Sequence, residues 1–162
     1  MSKEPPFDID IAHRWFGAEY NNSIFPLLEK ADRTEEETEK MISMAYATTL
    51  HWSSYSKCKT ANLARGEYMI ATALAYAGRK ESSLHHAKRN YEITFSHIDE
   101  MEDWDIAFSL MVNARAYALN RDMETAEKFL TECITSIEKV KDQGDKNILE
   151  MDFNSGPWYG LK

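Results

Sequence analysis

The sequence predicts an all-α protein, arranged as a right-handed superhelix of about three antiparallel helix hairpins. One pattern of small and apolar residues occurs twice, so that the segment around Ala71 recurs 43 positions later around Ala114. Repetition at this period is typical of stacked helix pairs. Prolines occur only at positions 5, 6, 26 and 157, which leaves the middle of the chain free of the strongest helix breaker. The alternation of polar and apolar residues that marks a strand is absent.

Two helical segments precede the duplicated region. The first is predicted over about 9–21, followed by a short piece over 26–30 with Pro26 in its first turn. Thr34 and Glu37 then have the spacing of a capping box, in which each side chain bonds the backbone amide of the other residue. This motif predicts the start of a helix that continues to about residue 53.

The duplicated region predicts two helix hairpins and a docked tail. The hairpin helices are expected over about 60–78 and 80–98, then over 103–119 and 122–141, with Gly144 ending the last one. The aromatic tail 154–160 is expected to be non-helical and docked, because a free Trp-Tyr pair would expose a large apolar surface. The predicted organisation is a disordered arm over 1–8, a repeat domain over 9–143, and an extension over 144–162 that docks on the last helix.

Composition excludes several classes of function. The 162 residues suffice for one domain with its own core. A net charge of −8 disfavours nucleic acid and anionic membrane surfaces, and no run approaches the roughly 20 apolar residues of a membrane span. Two cysteines, Cys58 and Cys133, are too few for a disulfide framework or a cysteine zinc site. These features predict a cytoplasmic protein whose partners include neither nucleic acid nor membrane.

The second hairpin resembles the tetratricopeptide repeat at Ala114, Tyr117 and Ala126, although the period is longer than the family's roughly 34 residues. In the first hairpin Ala71 and Gly78 match, but Leu74 replaces the tyrosine and Ser83 replaces the alanine. Most of the chain, from about 19 to 158, is also similar to a group of uncharacterised bacterial proteins of about this length. The similar segments are 21–22, 27–34, 51–52, 62–67, 84–87 and 103–108. The resemblance implies a small helical-repeat protein and supplies no catalytic residue.

In the tetratricopeptide family, the first helix of each pair lines a concave face, and this analogy implies a surface for partners. The residues at those positions are Arg65, Tyr68, Thr72, Phe108, Met111 and Arg115. The leading hypothesis is therefore a non-catalytic module that binds a protein or peptide, with no cofactor. The two arginines could clamp an anion, or could form ordinary salt bridges, Arg65 with Glu67 or Glu36 and Arg115 with Asp105 or Glu127.

The alternative hypothesis is an enzyme that binds a small molecule or a metal in a polar pocket. Its candidate residues are Glu19, His51, Asn62, Arg65 and Asn113. His51 could equally be structural, and Asn113 could belong to a hydrogen-bonded core network. The five histidines lack the spacings of recognisable metal sites, so no metal ligands are assigned. A homodimer is a further expectation, based on the methionines of 41–44 and on exposed aromatic residues.

Overall fold

The computed structural model describes residues 4–162, and this part of the chain contains seven α-helices and no strand. The prediction of an all-α protein is confirmed. Residues 1–3 of the predicted N-terminal arm lie outside the described residues. The helices are α1 Ile9–Glu29, α2 Glu35–Ser54, α3 Thr60–Tyr76, α4 Lys80–Ser96, α5 Asp103–Leu119, α6 Met123–Lys139 and α7 Gln143–Ser155.

Each helix packs against the next one along the chain, and the odd-numbered helices also contact one another in the order α1, α3, α5, α7. Short connections between packed neighbours make α3–α4 and α5–α6 antiparallel hairpins. The alanines that the sequence places at the helix contacts are all buried, and Ala71, Ala114 and Ala126 are fully inaccessible. Small side chains at these positions let the helices approach closely.

The two hairpins repeat each other in detail. The helices α3 and α5 have 17 residues each, as do α4 and α6, and both pairs start 43 positions apart. The turns match as well, because Gly78 and Arg121 occupy equivalent positions with φ of 70° and 68°. Arg121 thus adopts the left-handed backbone conformation that Gly78 adopts in the first hairpin, where a glycine has no steric penalty.

The start of the chain differs from the sequence prediction. Two separate helical pieces were expected around Pro26, but α1 runs unbroken through this residue. Proline removes one helical hydrogen bond, and here it does so in the last turns of the helix, at an exposed position where solvent can bond the orphaned carbonyl. Arg33 then closes the helix end by donating to the carbonyl oxygens of Leu27 and Lys30 at 2.6 and 2.8 Å.

The end of the chain also differs, because Gly144 lies inside a seventh helix and does not terminate the sixth. Asp142 caps α7 by accepting a hydrogen bond from the Asp145 amide at 3.0 Å, which explains why a new helix starts there. Part of the segment predicted as a non-helical tail, Asn154 and Ser155, belongs to this helix. Trp158 beyond it is buried in the cluster of apolar residues formed by α5, α6 and α7.

Candidate functional site: a cleft between the first and last helices

A cleft of about 720 Å³ has α3 and α5 as its floor, together with Asn90 and Thr94 of α4, and α1 and α7 as its two lips. This volume is in the range of sites that hold a small ligand or several side chains of a peptide. The lips carry apolar side chains in solvent: Phe25 on α1 is 44% exposed, and Ile148 and Met151 on α7 are 53% and 61% exposed. Large apolar groups that converge on one concavity mark a surface that can bind a ligand or a partner.

Arg65 lies on the floor of the cleft and is already engaged by the chain itself. Its Nε and Nη2 atoms donate to the two carboxylate oxygens of Asp105, both at 2.8 Å. Its guanidinium also lies over the Trp104 ring, 4.2 Å from the ring centre. The structure therefore gives Arg65 a salt bridge, although to Asp105 and not to the expected Glu67 or Glu36. A bidentate pair leaves little of this guanidinium for an external anion.

Arg115 is only 2% exposed, because α7 covers it. Its Nη1 atom donates to Asp152 Oδ1 at 2.9 Å and its Nη2 atom to the Asp152 carbonyl oxygen at 2.6 Å. Burial opposes the charge, but Asp152 and two nearby tyrosines outweigh it and raise the pKa of Arg115 on balance. The salt bridge is thus formed with Asp152, and the expected partners Asp105 and Glu127 are replaced.

The segment after α7 completes the cover over Arg115. The guanidinium lies 4.8 Å from the ring centre of Trp158, and a Cβ atom at Gly156 would overlap its Nη2 atom. Only a glycine permits this close approach. Tyr68, on the neighbouring helix α3, donates from its hydroxyl to Asp152 Oδ2 at 3.0 Å. Burial, followed by the charge of Asp152, raises the pKa of this phenol well above its usual value.

Only some of the six residues expected to bind a partner lie in the cleft. Four of them line the cleft: Arg65, Tyr68, Thr72 and Phe108. Met111 is fully buried in the core, and Arg115 lies under α7. The cause is the same in both cases, because the extension that the sequence left without a helix packs onto α5 and covers that half of the face.

The residues of the alternative polar pocket do not share one cavity. Glu19 is exposed and accepts a hydrogen bond from Ser23 at 3.4 Å. Asn113 is buried and donates to the carbonyl oxygens of Ala87 and Ser109, both at 2.9 Å, so it is a member of the core network. Asn62 caps α3 by accepting from the Lys59 amide at 3.0 Å. It also lines, with Arg65, a smaller cavity of about 260 Å³.

His51 faces a second histidine and not the cleft. Its Nδ1 atom lies 2.9 Å from Nδ1 of His13, and the rings of Phe16 and Tyr20 pack against it. Burial and the neighbouring His13 lower the pKa of His51. Within residues 4–162, no group of three or more His, Cys, Asp or Glu side chains is placed to hold a metal ion.

Two features of the cleft were missed from the sequence. One is its lips, since α1 was predicted to break before Pro26 and α7 was not predicted at all. The spacing of Asp142 and Asp145, an acidic N-cap with an acid three residues later, was the available signal for α7. The other is a set of buried polar atoms on residues that line the cleft and that have no hydrogen-bond partner in the described part of the chain, namely Thr72 Oγ1, Asn90 Oδ1 and Thr94 Oγ1.

Comparisons with protein-family models, with curated proteins and with solved structures find no match to this chain. No helix in the described part of the chain is both long and apolar enough to cross a membrane.

Proposed function

We propose that the protein is a non-catalytic binding module that holds a peptide segment of a protein partner in the cleft between α1 and α7. The observation that carries this proposal is the convergence of Phe25, Ile148 and Met151 on one concavity while each remains 44–61% exposed. Keeping such side chains in water costs free energy that an occupant would recover by covering them. A groove between helices is a common receptor for an apolar peptide face.

We infer further that the stacked hairpins form a right-handed, tetratricopeptide-like superhelix, related to the bacterial helical-repeat proteins that the sequence resembles. Its support is the constant spacing of 43 residues between α3 and α5 and between α4 and α6, together with the contacts among the odd-numbered helices. Stacked hairpins of this kind leave the first helix of each pair on a concave face. The cleft lies on the face formed by those helices.

Binding is favoured over catalysis because the charged groups on the floor of the cleft neutralise one another. Arg65 is paired with Asp105, and Arg115 is paired with Asp152 next to it. The enzyme hypothesis required Glu19, His51 and Asn113 around a common pocket. Instead, Glu19 is bonded to Ser23, His51 faces His13, and Asn113 bonds a backbone carbonyl in the core.

A second copy of the chain is the alternative partner, and one surface favours it. Phe7, just before α1, and Ile11 and Trp15, in its first two turns, are all more than half exposed. The methionines expected to form a dimer surface are less suited, since Met41 is fully buried and Met44 partly so. Both cysteines are free thiols, which supports the proposal of a cytoplasmic location.

The test is a selection from a displayed library of random peptides, with affinities measured by fluorescence anisotropy. The cleft variant Phe25→Glu/Met151→Glu places charges on both lips, and the matched control Leu50→Glu/Ile134→Glu changes exposed apolar residues elsewhere. Peptides selected on the wild type should bind the control unchanged and the cleft variant at least about tenfold more weakly. Equal binding to the cleft variant would refute the proposed site.

A further inference from the structure

The charges that line the cleft do not cancel completely. Arg65 is matched by Asp105, and Asp152 is matched by Arg115. Two carboxylates are left over, Glu29 on the α1 lip and Asp145 on the α7 lip, and neither side chain has an ion-pair or hydrogen-bond partner among residues 4–162. The cleft thus carries an excess negative charge on both lips, within a chain whose net charge is −8.

The floor adds a hydrogen-bonding preference of the same kind. Asn90 is 97% buried, and its amide nitrogen donates to the carbonyl oxygen of Ala64 at 2.8 Å. Among residues 4–162 no donor bonds its Oδ1 atom, and the residue lines the cleft. An unsatisfied buried acceptor is costly, and an occupant that brings an N–H or O–H group would relieve that cost.

The polar groups of the cleft that can act only as acceptors all favour one type of occupant, namely one that is positively charged and donates hydrogen bonds. The carboxylates of Glu29 and Asp145 accept hydrogen bonds and attract positive charge, and Asn90 Oδ1 accepts hydrogen bonds as well. Arg65 lines the cleft and is already paired, and Arg115 beneath α7 is paired as well. Arg33, at the edge of the cleft beside Tyr76, uses its guanidinium to bond the backbone carbonyls that end α1. The neutral hydroxyls of Thr72 and Thr94 can serve either role.

We propose that the occupant of the cleft is a basic amphipathic peptide, whose apolar face covers Phe25, Ile148 and Met151 while its lysines or arginines reach Glu29 and Asp145. This inference rests on the proposed function and specifies its partner. The apolar face provides most of the affinity through buried area, and the charged lips select the sign of the flanking residues. Acidic peptides of the same apolar pattern are disfavoured by like-charge repulsion.

The test uses three synthetic helical peptides of about 15 residues, or about four turns. The first combines leucines at spacings of three and four residues with lysines elsewhere. The second replaces the lysines by glutamates, and the third replaces the leucines by serines. We expect the leucine–lysine peptide to bind the wild type, with an affinity that falls as salt is raised because exposed ion pairs are screened. The other two should bind more weakly.

The decisive variant is Glu29→Lys/Asp145→Lys, which reverses both lips. It should weaken the binding of the leucine–lysine peptide by about tenfold and strengthen the binding of the leucine–glutamate peptide. The matched control Glu92→Lys/Glu132→Lys makes the same change in net charge at exposed acids of α4 and α6 that do not line the cleft. It should shift the affinity much less. Thermal unfolding of each variant verifies that the fold is retained.

The outcomes separate this inference from the proposed function. Equal binding of the lysine and glutamate peptides, abolished in both cases by Phe25→Ser/Met151→Ser, which removes the apolar lips without adding charge, would overturn the charge preference and leave the cleft as the binding site. Binding that is unchanged by this uncharged variant would overturn both. Equal binding of the serine–lysine peptide, equal effects of the lip and control reversals, or no binding of the leucine–lysine peptide would each overturn the inference.

Discussion

The hairpins α3–α4 and α5–α6 have the same lengths and the same turn, yet they present different surfaces. Asn90 donates to the Ala64 carbonyl in the first hairpin, and Cys133 makes the equivalent contact to the Ala107 carbonyl, at 3.6 Å, in the second. The scaffold is thus repeated down to single contacts between a side chain and the backbone. The repeats differ at one position of the first helix, since Thr72, which lines the cleft, corresponds to Arg115, which lies under α7.

The two hairpins differ in the segment of the chain that packs against them next. The second hairpin receives α7 and the segment around Trp158, which cover Arg115 and form a cluster of apolar residues with α5 and α6. The equivalent residue of the first hairpin, Thr72, stays at the cleft wall. A repeated helix therefore provides equivalent positions, but whether a position can bind a partner depends on what the chain places over it.

The largest effect should come from removing the carboxylate that holds the cover in place. Asp152→Ala leaves Arg115 buried without its counter-ion, and an uncompensated buried charge costs about 3 kcal/mol or more. Asp152 is partly exposed, so the value should lie at the lower end of the range for buried pairs. We expect the free energy of unfolding in urea to fall by about 3 kcal/mol.

The control for this change is Glu150→Ala, an exposed acid on the same helix. It should change the stability by less than about 0.5 kcal/mol. If Asp152→Ala were equally mild, the pairing with Arg115 would not be what keeps α7 on the second hairpin, and the comparison between covered and open repeats would lose its physical basis.

A smaller effect is expected where the two hairpins are alike. Ala71 and Ala114 are equivalent and fully buried, so replacing either by leucine overpacks a helix contact and should cost about 1–3 kcal/mol. Ala71→Leu and Ala114→Leu should therefore lower the thermal midpoint to a similar extent. An unchanged midpoint for either variant would contradict close helix packing at that repeat.

The fold could be predicted largely from the sequence because its signals are local. The capping box of Thr34 and Glu37 is present as expected, and the helices of the two hairpins begin within about one or two residues of their predicted positions. Pro26 misled the prediction of α1, since a proline at an exposed site near a helix end costs less than one in the middle.

The site could be predicted only in part because it depends on distant packing. Arg65, Tyr68 and Phe108 were assigned to the lining face by analogy with the tetratricopeptide repeat, and that analogy uses only their positions within the first helix of each pair. The burial of Met111 and Arg115 depends on α7, which lies roughly 30–40 positions further along, and the bidentate pair of Arg65 and Asp105 joins different repeats. A single sequence carries no direct signal for contacts of this range.

The smallest effect concerns acidity, and it should distinguish the first half of the molecule from the second. Nδ1 of His13 and Nδ1 of His51 lie 2.9 Å apart between α1 and α2, whereas the hairpin α5–α6 contains no histidine. Burial, and then the charge of His13, lower the pKa of His51 from its usual 6.5. The unfolded chain therefore binds more protons than the folded protein at mildly acidic pH.

Protonation of His51 therefore favours the unfolded chain. The free energy of unfolding keeps its full value above about pH 6.5, the usual histidine pKa, and declines as the pH falls through the lower folded pKa of His51. Hydrogen exchange, corrected for the intrinsic pH dependence of amide exchange, should consequently lose protection in α1 and α2 below pH 6.5, while α5 and α6 change less. His51→Asn should remove this difference, and His85→Asn, at an exposed histidine of α4, should retain it. A uniform loss of protection over all helices would instead show that α1–α2 and the second hairpin unfold as one unit. Protonation of His51 would then destabilise the second hairpin through the contacts among the odd-numbered helices.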